Sequence, residues 1–322
     1  MSQRVVVTGG AGFLGSHLCE TLLARGDSVV CVDNLCTGLV ANLDTFSDHP
    51  AFEFVDADIS DGIPVDGPVD VVAHLACPAS PPDYLRLALE TLAVGSRGTQ
   101  AALDLAGRHG ARLVFSSTSE VYGDPTVNPQ PETYWGNVNP IGPRSVYDES
   151  KRFSEALVMA HARYRDADVG IVRIFNTYGP RLRPQDGRVV SNFIAQALAG
   201  EGLTVYGDGS QTRSFCYVDD MVAGLIAMID SDLAGPVNLG NPTELSVQQL
   251  AELILEMTGS SSEVVYEDLP TDDPSVRQPD ITVAREHLGW WPAVDLRTGL
   301  ERTIAWQTAA GERSAGSGLA GS

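Results

Sequence analysis

The sequence predicts an α/β protein with a doubly wound parallel sheet of the Rossmann type and a smaller C-terminal lobe. Three observations support this fold class. The first apolar run leads into a glycine-rich turn and a helical pattern, and strand-like runs then alternate with helical stretches. After Gly179-Pro180 the pattern changes to loops rich in Gly, Pro, Asp and Arg. Strands separated by helices favour a parallel sheet that has helices on both faces.

The first strand and helix flank a glycine-rich turn. The run Val5-Val6-Val7 leads into the segment 8–15, Thr-Gly-Gly-Ala-Gly-Phe-Leu-Gly, and then into helically spaced leucines. Glycines in such a turn allow the backbone and the helix N-terminus to approach a pyrophosphate. The second strand, 28–32, ends at Asp33, which is placed for the two ribose hydroxyls of NAD and would repel an NADP 2′-phosphate. NAD is therefore the predicted cofactor.

The remaining elements follow the same alternation. Strands are expected at 52–55, 69–76, 111–115 and 169–174, and helices from about Asp83 to Arg108 and from Tyr147 to about Arg165. The edge after 52–55 is expected to contact adenine, and the end of 69–76 to border the cofactor. We assign residues 1–178 plus about 212–240 to an NAD-binding domain, about 179–211 plus 241–310 to a substrate lobe, and 311–322 to a disordered tail.

Composition limits the class of partner. The 322 residues carry a formal net charge of −21 with a pI near 4.5, which argues against nucleic acid or an anionic membrane. No apolar run approaches the ~20 residues that span a bilayer. The five cysteines have no metal-site spacing, and without a secretory signal they favour reduced thiols in the cytoplasm. The histidines show no ligand pattern, so no metal site is predicted.

Lys151 is the single lysine of the chain, and it follows Tyr147 by one helical turn. Arginine replaces lysine everywhere else, so this position is expected to need a compact ammonium beside a phenol and a ribose. Residues at this spacing share one helix face, where the tyrosine can lose its proton next to a positive charge. An ordinary solvated pair is the alternative. The hydroxyls of 116–119, after a predicted strand, are expected at the same ligand-binding edge.

These motifs together resemble the extended short-chain dehydrogenase/reductase superfamily in its nucleotide-sugar form. Longer blocks are similar to one branch, the UDP-glucuronate decarboxylases, and the resemblance covers nearly everything up to about Trp306. The blocks are 74–82, 118–125, 131–143, 173–181, 186–194, 203–220, 236–242 and 277–281. Blocks of this length are far more specific than the glycine turn.

The resemblance implies NAD-dependent decarboxylation of UDP-glucuronate to UDP-xylose through a 4-keto intermediate, with NAD regenerated in each cycle. It implies that Tyr147 takes the proton of the sugar 4-hydroxyl while Thr118 binds that oxygen. Lowering a phenol pKa from near 10 to near 7 needs about 4 kcal/mol, for which Lys151 and the nicotinamide ring are the expected sources. Glu120 would position or deprotonate groups at C4 and C5. Arg277 would hold either the carboxylate or the phosphates, and this choice stays open.

The resemblance also assigns binding residues. The implied catalytic residues are Thr118, Glu120, Tyr147, Lys151 and Arg277. The implied cofactor residues are Gly9, Gly12, Phe13, Leu14, Gly15, Asp33, Asn34, Thr37, Gly38, Asp58, Ile59, Leu75, Tyr147 and Lys151. The implied substrate residues are Thr118, Asn176, Arg188, Asn192, Tyr206, Gln211, Arg213 and Arg277. The arginines crowded into the segment 173–213 are expected to attract the negatively charged UDP-sugar.

Two residues depart from the patterns of related enzymes, and several related activities remain as alternatives. Ser119 stands where the related 4,6-dehydratases carry an aspartic acid, and serine is a poor acid for water elimination. A decarboxylase that stops at UDP-4-keto-pentose, a 4,6-dehydratase, a 4-epimerase and a non-catalytic NAD-binding scaffold are the other candidates. Gly95 replaces an asparagine usual in the family, so a water or a bent helix is expected there. The resemblance also implies a homodimer built from the helices 83–108 and 147–165. The apolar residues Leu85, Leu89, Leu92, Leu157 and Met159 are compatible with that interface and equally compatible with packing against the sheet.

Overall fold

A seven-stranded parallel sheet lies at the centre of the computed structural model, which describes residues 2–184, 186–269 and 276–318, with side chains up to residue 312. The strands that form it, in chain order, are β1 (Arg4–Thr8), β2 (Ser28–Asp33), β3 (Phe52–Asp56), β4 (Val71–His74), β5 (Arg112–Thr118) and β6 (Val169–Ile174), with a last strand at Val237–Leu239. Every neighbouring pair is parallel. The predicted fold class is confirmed.

Shorter strands form three two-stranded sheets outside the central one. These strands are β7 (Thr177–Tyr178), β8 (Leu203–Tyr206), β9 (Thr212–Ser214), β10 (Cys216–Tyr217), β12 (Glu244–Ser246) and β13 (Val264–Glu267), and the last strand of the central sheet is β11. The helices are α1 (Phe13–Arg25), α2 (Pro81–Arg86), α3 (Ala88–Ala93), α4 (Thr99–His109), α5 (Ser145–Arg165), α6 (Val189–Ala199), α7 (Val218–Ile229), α8 (Val247–Thr258), α9 (Thr282–His287) and α10 (Leu296–Gly318).

The order across the sheet is β3-β2-β1-β4-β5-β6-β11. From β1 the chain proceeds to one edge through β2 and β3, and from β4 it proceeds to the opposite edge through β5 and β6. The order of strands therefore reverses between β1 and β4. Alternate residues of β1 point to opposite faces, with Val5 and Val7 in one apolar core and Val6 in the other. The first core includes residues of α1 and α7 and extends into α6 and α8, whereas the second contains residues of α4 and α5. A crevice at the strand C-termini next to such a reversal is the usual ligand site of this architecture.

The prediction of one continuous helix from Asp83 to Arg108 is wrong. It is interrupted after α2 at Leu87, whose ψ of 45° is not helical, and a π-helical turn at Val94–Gly98 separates α3 from α4. Gly95 faces α5 in this turn, where a Cβ atom would lie 2.7 Å from the Cβ of Ser150. Ser154 donates a hydrogen bond of 2.7 Å to the Gly95 carbonyl. The glycine that departs from the family pattern therefore permits a close helix crossing.

The C-terminal helix also differs from the prediction. α10 continues to Gly318, so the part of the predicted disordered tail from 311 to 318 is helical, and residues 319–322 lie outside the described part of the chain. No proline interrupts this stretch, and alanines at 309 and 310 favour helix. None of the helices in the described ranges has both the length and the apolar character needed to cross a membrane.

Candidate active site

A deep cleft opens at the C-terminal ends of β1, β2, β4 and β5. It runs from the glycine-rich turn to the start of α5, and its far wall is formed by residues 174–177, 181–183, 186 and 188. All of the predicted cofactor residues line it: Gly9, Gly12, Phe13, Leu14, Gly15, Asp33, Asn34, Thr37, Gly38, Asp58, Ile59, Leu75, Tyr147 and Lys151. The structure thus gathers into one cleft residues that are up to 142 positions apart in the chain, from Gly9 to Lys151.

The glycine-rich turn brings the N-terminus of α1 to the cleft. Gly9 has a φ of +73°, and a Cβ atom there would lie 2.7 Å from the backbone of Ala76. A Cβ atom on Gly15 would lie 2.1 Å from the carbonyl oxygen of Gly9. No side chain caps α1, so the N–H groups of its first turn are available to an anion. The close packing and the uncapped helix end both fit the pyrophosphate of a dinucleotide.

The carboxylate of Asp33, at the end of β2, closes the other side of this region. It accepts hydrogen bonds from the backbone N–H groups of Leu35 (2.8 Å) and Ala11 (3.0 Å), which hold its orientation. Burial raises the pKa of Asp33, and the two N–H groups oppose that shift. Each carboxylate oxygen keeps a second lone pair that can accept from a ribose hydroxyl. A 2′-phosphate would meet a negative charge here, so the donor and acceptor groups fit NAD.

Tyr147 and Lys151 lie on the first turns of α5, and both are buried. The Tyr147 ring stacks on Tyr84, with ring centroids 5.1 Å apart, and its hydroxyl is within hydrogen-bonding reach of Thr118 at the end of β5. The Lys151 ammonium donates a hydrogen bond of 2.8 Å to the Ser116 carbonyl and lies 5.9 Å from the centre of the Tyr147 ring. The spacing of these residues on one helix face brings both to the same edge as Thr118.

The protein groups alone do not lower the pKa of the phenol. Burial raises the pKa of Tyr147 well above its ordinary value, and the hydrogen bond with Thr118 opposes this only in part. Burial also lowers the pKa of the Lys151 ammonium, which nevertheless keeps its bond to the Ser116 carbonyl. The expectation that Lys151 supplies much of the phenolate stabilisation therefore needs a further positive charge in the cleft.

Glu120 follows Thr118 on a single 3₁₀ turn, Ser119–Tyr122, and points into the cleft. Its Oε1 lies 3.0 Å from Nη1 of Arg277, and its Oε2 accepts a 2.8 Å hydrogen bond from Nη2 of Arg144. Burial acts to raise the pKa of Glu120, but Arg277 and Arg144 outweigh it and bring the pKa to about 2. Glu120 is therefore a carboxylate at neutral pH, suited to accept a hydrogen bond.

Arg277 lies behind Glu120 and is not among the residues that line the cleft. It is 2% exposed and donates to the Ser119 hydroxyl (3.0 Å) and the Gly123 carbonyl (3.1 Å) as well as to Glu120. These contacts account for much of its hydrogen-bonding capacity, although its Nε has no partner among the described residues. In this arrangement Arg277 orients Glu120 and Ser119.

The predicted substrate residues are only partly gathered. Thr118, Asn176 and Arg188 line the cleft, and Arg188 also donates to the Ala79 carbonyl at 3.1 Å. The others lie in the smaller lobe, where Gln211 donates to the Tyr206 carbonyl at 2.7 Å. These are Asn192 on α6, Tyr206 on β8, Gln211, and Arg213 on β9. Their assignment to the substrate stays a prediction.

Three of the arginines crowded into the segment 173–213 form ion pairs with carboxylates of the protein itself. Arg173 pairs with Glu155 at 2.7 Å and stacks on Tyr122, away from the cleft. Arg181 and Arg183 do line the cleft. Their guanidinium groups form ion pairs with carboxylates on α1 and α2. Sequence proximity could not reveal these partners, because each lies 18 or more positions away along the chain.

We call residues 179–184 the crossing segment, because it crosses from α1 to α2. At one end Arg181 binds Glu20 of α1 (2.6 Å), and the Pro180 carbonyl lies 3.0 Å from Nε2 of His17. At the other end Arg183 forms an ion pair with Asp83 of α2. The segment therefore connects α1 to α2, and its residues Arg181, Leu182 and Arg183 line the cleft.

Sequence reasoning missed several residues of the cleft. The loop after β4 contributes Cys77, Pro78, Ala79 and Ser80. The chain contained a signal for the loop, since residues at the end of a buried parallel strand face this edge. No cluster of three or more potential metal ligands occurs among the described residues.

Comparison with known proteins agrees with this geometry. Residues 5–240 match the model of the NAD dependent epimerase/dehydratase family. The chain is 50% identical over 302 residues to UDP-glucuronic acid decarboxylase 1 of Xenopus tropicalis, covering 94% of this chain and 71% of that protein. It is also 50% identical over 300 residues to UDP-glucuronic acid decarboxylase 5 of Arabidopsis thaliana, covering 93% of this chain and 87% of that one.

Among solved structures, the chain is similar to a dTDP-glucose 4,6-dehydratase from Streptomyces venezuelae, solved with NAD bound. The two are 31% identical with a TM-score of 0.86, over 95% of this chain and 97% of that one. The similarity covers both the sheet and the smaller lobe.

Proposed function

Because this chain belongs to the NAD-dependent epimerase/dehydratase family, we propose that it is an enzyme that decarboxylates UDP-glucuronate to UDP-xylose with NAD as a retained cofactor. The observation that carries the substrate assignment is the 50% identity to UDP-glucuronic acid decarboxylases over 94% of the chain, together with a cleft that holds Tyr147, Thr118 and an ionised Glu120.

Tyr147 is the group placed to remove the proton of the sugar 4-hydroxyl. Thr118 can hydrogen-bond the same oxygen, because its hydroxyl is already in reach of the phenol. When bound, NAD supplies a positively charged ring that accepts the hydride from C4 and returns it after decarboxylation. A ketone at C4 is β to the C6 carboxylate, so the electrons released with CO₂ can be accepted as an enolate. Tyr147 and Lys151 are themselves almost fully buried at the wall of the cleft.

Two contacts favour decarboxylation over water elimination. Ser119 occupies the position of the dehydratase acid, and its hydroxyl accepts a hydrogen bond from Arg277 instead of offering an acidic proton. Glu120 is ionised at neutral pH, so it cannot act as that acid either. Loss of CO₂ needs no acid at C6. The chain therefore contains the base and the hydride site of the family without the group that a 4,6-dehydratase needs.

The test is NMR of the purified enzyme with UDP-glucuronate and no added NAD. We expect UDP-xylose and CO₂ to accumulate, which would establish both the reaction and the retained cofactor. UDP-4-keto-pentose with NADH would show that the cycle stops early, and a 4-epimer of the substrate would show an epimerase. A Tyr147→Phe variant serves as the control. It keeps the ring and its stacking on Tyr84, and should lose at least ~100-fold in turnover while it still binds UDP and NAD.

We further propose a homodimer in the cytoplasm. Leu85, Leu89 and Leu92 on α2 and α3 are 52%, 78% and 39% exposed, and Phe153 on α5 is 52% exposed, so an apolar face is available to a second copy. Leu157 and Met159, which are half-buried, pack against the protein's own core. The five free cysteines fit a reducing compartment. Sedimentation should give a dimer mass for the native chain and a monomer mass for Leu89→Glu.

A further inference from the structure

The carboxylate of Glu120 is held from two sides. Arg277 approaches Oε1 at 3.0 Å and Oε2 at 3.3 Å, and Arg144 donates to Oε2 at 2.8 Å. The Arg144 side chain is 16% exposed and that of Glu120 is 20% exposed, so the pair is largely sheltered from solvent. Charge-assisted hydrogen bonds of this length are the strong ones in proteins and fix direction as well as charge. The arrangement leaves Glu120 little freedom to turn.

Arg144 also lies at the start of α5. It is the residue before the first turn of that helix, and its carbonyl accepts from the backbone N–H groups of Tyr147 (3.0 Å) and Asp148 (3.1 Å). Its side chain reaches across to the 3₁₀ turn after β5. One residue thus connects the element that carries Glu120 to the element that carries Tyr147. It is not among the residues that line the cleft.

Building on the proposed function, we propose that Arg144 is a positioning residue for the decarboxylation. It fixes the Glu120 carboxylate relative to Tyr147 and keeps it ionised throughout turnover. Arg144 acts through Glu120 and touches no reacting atom. Substitution of Arg144 should therefore lower the rate, because the Glu120 carboxylate is then misplaced and more easily protonated. The same substitution should have no effect on the rate once Glu120 itself has been replaced.

The charges around Glu120 support this role. Arg277 and Arg144 lower its pKa against the effect of burial. The acidic groups that face it are on α5: the Tyr147 phenol and the Asp148 carboxyl, each of which has its pKa raised partly by Glu120. Removing Arg144 takes away one of the two arginines that lower the pKa of Glu120 and leaves Arg277. The pKa of Glu120 must then rise.

A double-mutant cycle tests the proposal. We expect Arg144→Gln to lower kcat by about 10- to 100-fold, the range for a misplaced catalytic group, and Glu120→Gln to lower it at least as much. The double variant should be no slower than Glu120→Gln, because Arg144 then has no carboxylate to position. Rate losses that multiply in the double variant would overturn the proposal.

A pH profile separates positioning from a purely structural role. In Arg144→Gln the acid limb of kcat/KM should move to higher pH, because a less acidic Glu120 becomes protonated during the titration. Arg144→Lys keeps the charge, so its limb should stay at the wild-type position while kcat recovers in part. A fall in kcat with an unmoved acid limb in Arg144→Gln would contradict the proposal.

Two controls keep the outcomes distinct. Arg297→Gln removes a surface arginine, paired with Glu256 at 2.9 Å, and should leave rate and pH profile unchanged. UDP affinity and the melting temperature of Arg144→Gln should stay close to wild type, and a large fall in either would mean that Arg144 holds the fold. If the wild-type enzyme does not form UDP-xylose at all, the proposed function fails before the cycle is measured.

Discussion

At the scale of single residues, Lys151 is held closely by the residues at the end of β5. It is 4% exposed, its ammonium is 2.8 Å from the Ser116 carbonyl, and it lies 4.9 Å from the centre of the Phe115 ring. The longer, planar guanidinium of arginine cannot keep both contacts without displacing a neighbour. We predict that Lys151→Arg impairs turnover and NAD retention almost as much as Lys151→Met. The checks are the molar NAD content after purification and kcat; an active Arg variant would show that charge alone suffices.

Asp148 gives the protein a pH-dependent stability. It is 6% exposed, and its Oδ1 has no hydrogen-bond partner among the described residues. Burial, followed by the charge of Glu120, raises its pKa from 3.8 to about 7. The folded state thus holds this proton more tightly than the unfolded state, and stability falls as the pH rises from about 4 to about 7.

The Asp148→Asn substitution should remove the loss of stability that wild type shows as the pH rises to about 7. We expect the variant to match wild type in free energy of unfolding near pH 4 and to be more stable above pH 7, by up to about 4 kcal/mol from the size of the shift. Denaturant unfolding at both pH values measures the difference. Asp48→Asn, at an exposed position, is the matched control and should show no such divergence. Equal stability of Asp148→Asn and wild type at pH 8 would contradict the prediction.

At the scale of elements, the crossing of the π-helical turn and α5 depends on Gly95. A Cβ atom there would lie 2.7 Å from the Ser150 Cβ and 3.0 Å from the Ser150 carbonyl oxygen. Gly95→Ala should therefore push α5 away and destabilise the protein by about 1–3 kcal/mol. Gly107→Ala on α4 is the matched control, since no atom lies within 4 Å of its Cβ position. It should be neutral or stabilise by up to about 1 kcal/mol. Urea unfolding of both variants measures this.

The elements show what a sequence can and cannot predict. The strands could be placed because each combines a short apolar run with a turn signal, and the glycine turn could be placed because its residues serve local backbone geometry. The break at Leu87 and the π-helical turn could not, because they follow from contact with α5 some 50 residues later in the chain. For the same reason the Arg144–Glu120 pair, 24 positions apart, left no signal that sequence reading could use.

At the scale of the whole molecule, the two lobes share one apolar core. Val5 and Val7 of the central sheet belong to the same cluster as Phe193 of α6 and Ile254 of α8. The predicted domain boundaries at about residues 179, 212 and 241 therefore mark where the chain is expected to pass from one lobe to the other. A shared core gives no reason to expect the lobes to move independently. Arg213 and Gln211 would reach the substrate from this second lobe if the predicted assignment is right.

We predict that the crossing segment slows the release of NAD. Its pairs Arg181–Glu20 and Arg183–Asp83 join α1 and α2 to a wall of the cofactor cleft, so release past this wall would need both pairs to open. Two partly exposed pairs together contribute about 1–2 kcal/mol, which predicts release about tenfold faster in an Arg181→Gln, Arg183→Gln double variant. Exchange against labelled NAD without substrate measures it, with Arg297→Gln as the control; unchanged exchange would contradict the prediction.

An enzyme built this way is insulated from the metabolic state of its surroundings. A dehydrogenase that trades its nucleotide at every turnover follows the ratio of oxidised to reduced nicotinamide in the cell. If the crossing segment retains the nucleotide as predicted, the hydride that leaves the sugar returns to the same sugar before any exchange. Flux through this enzyme should then respond to the supply of its acidic sugar and stay level when the free nicotinamide pool becomes more reduced.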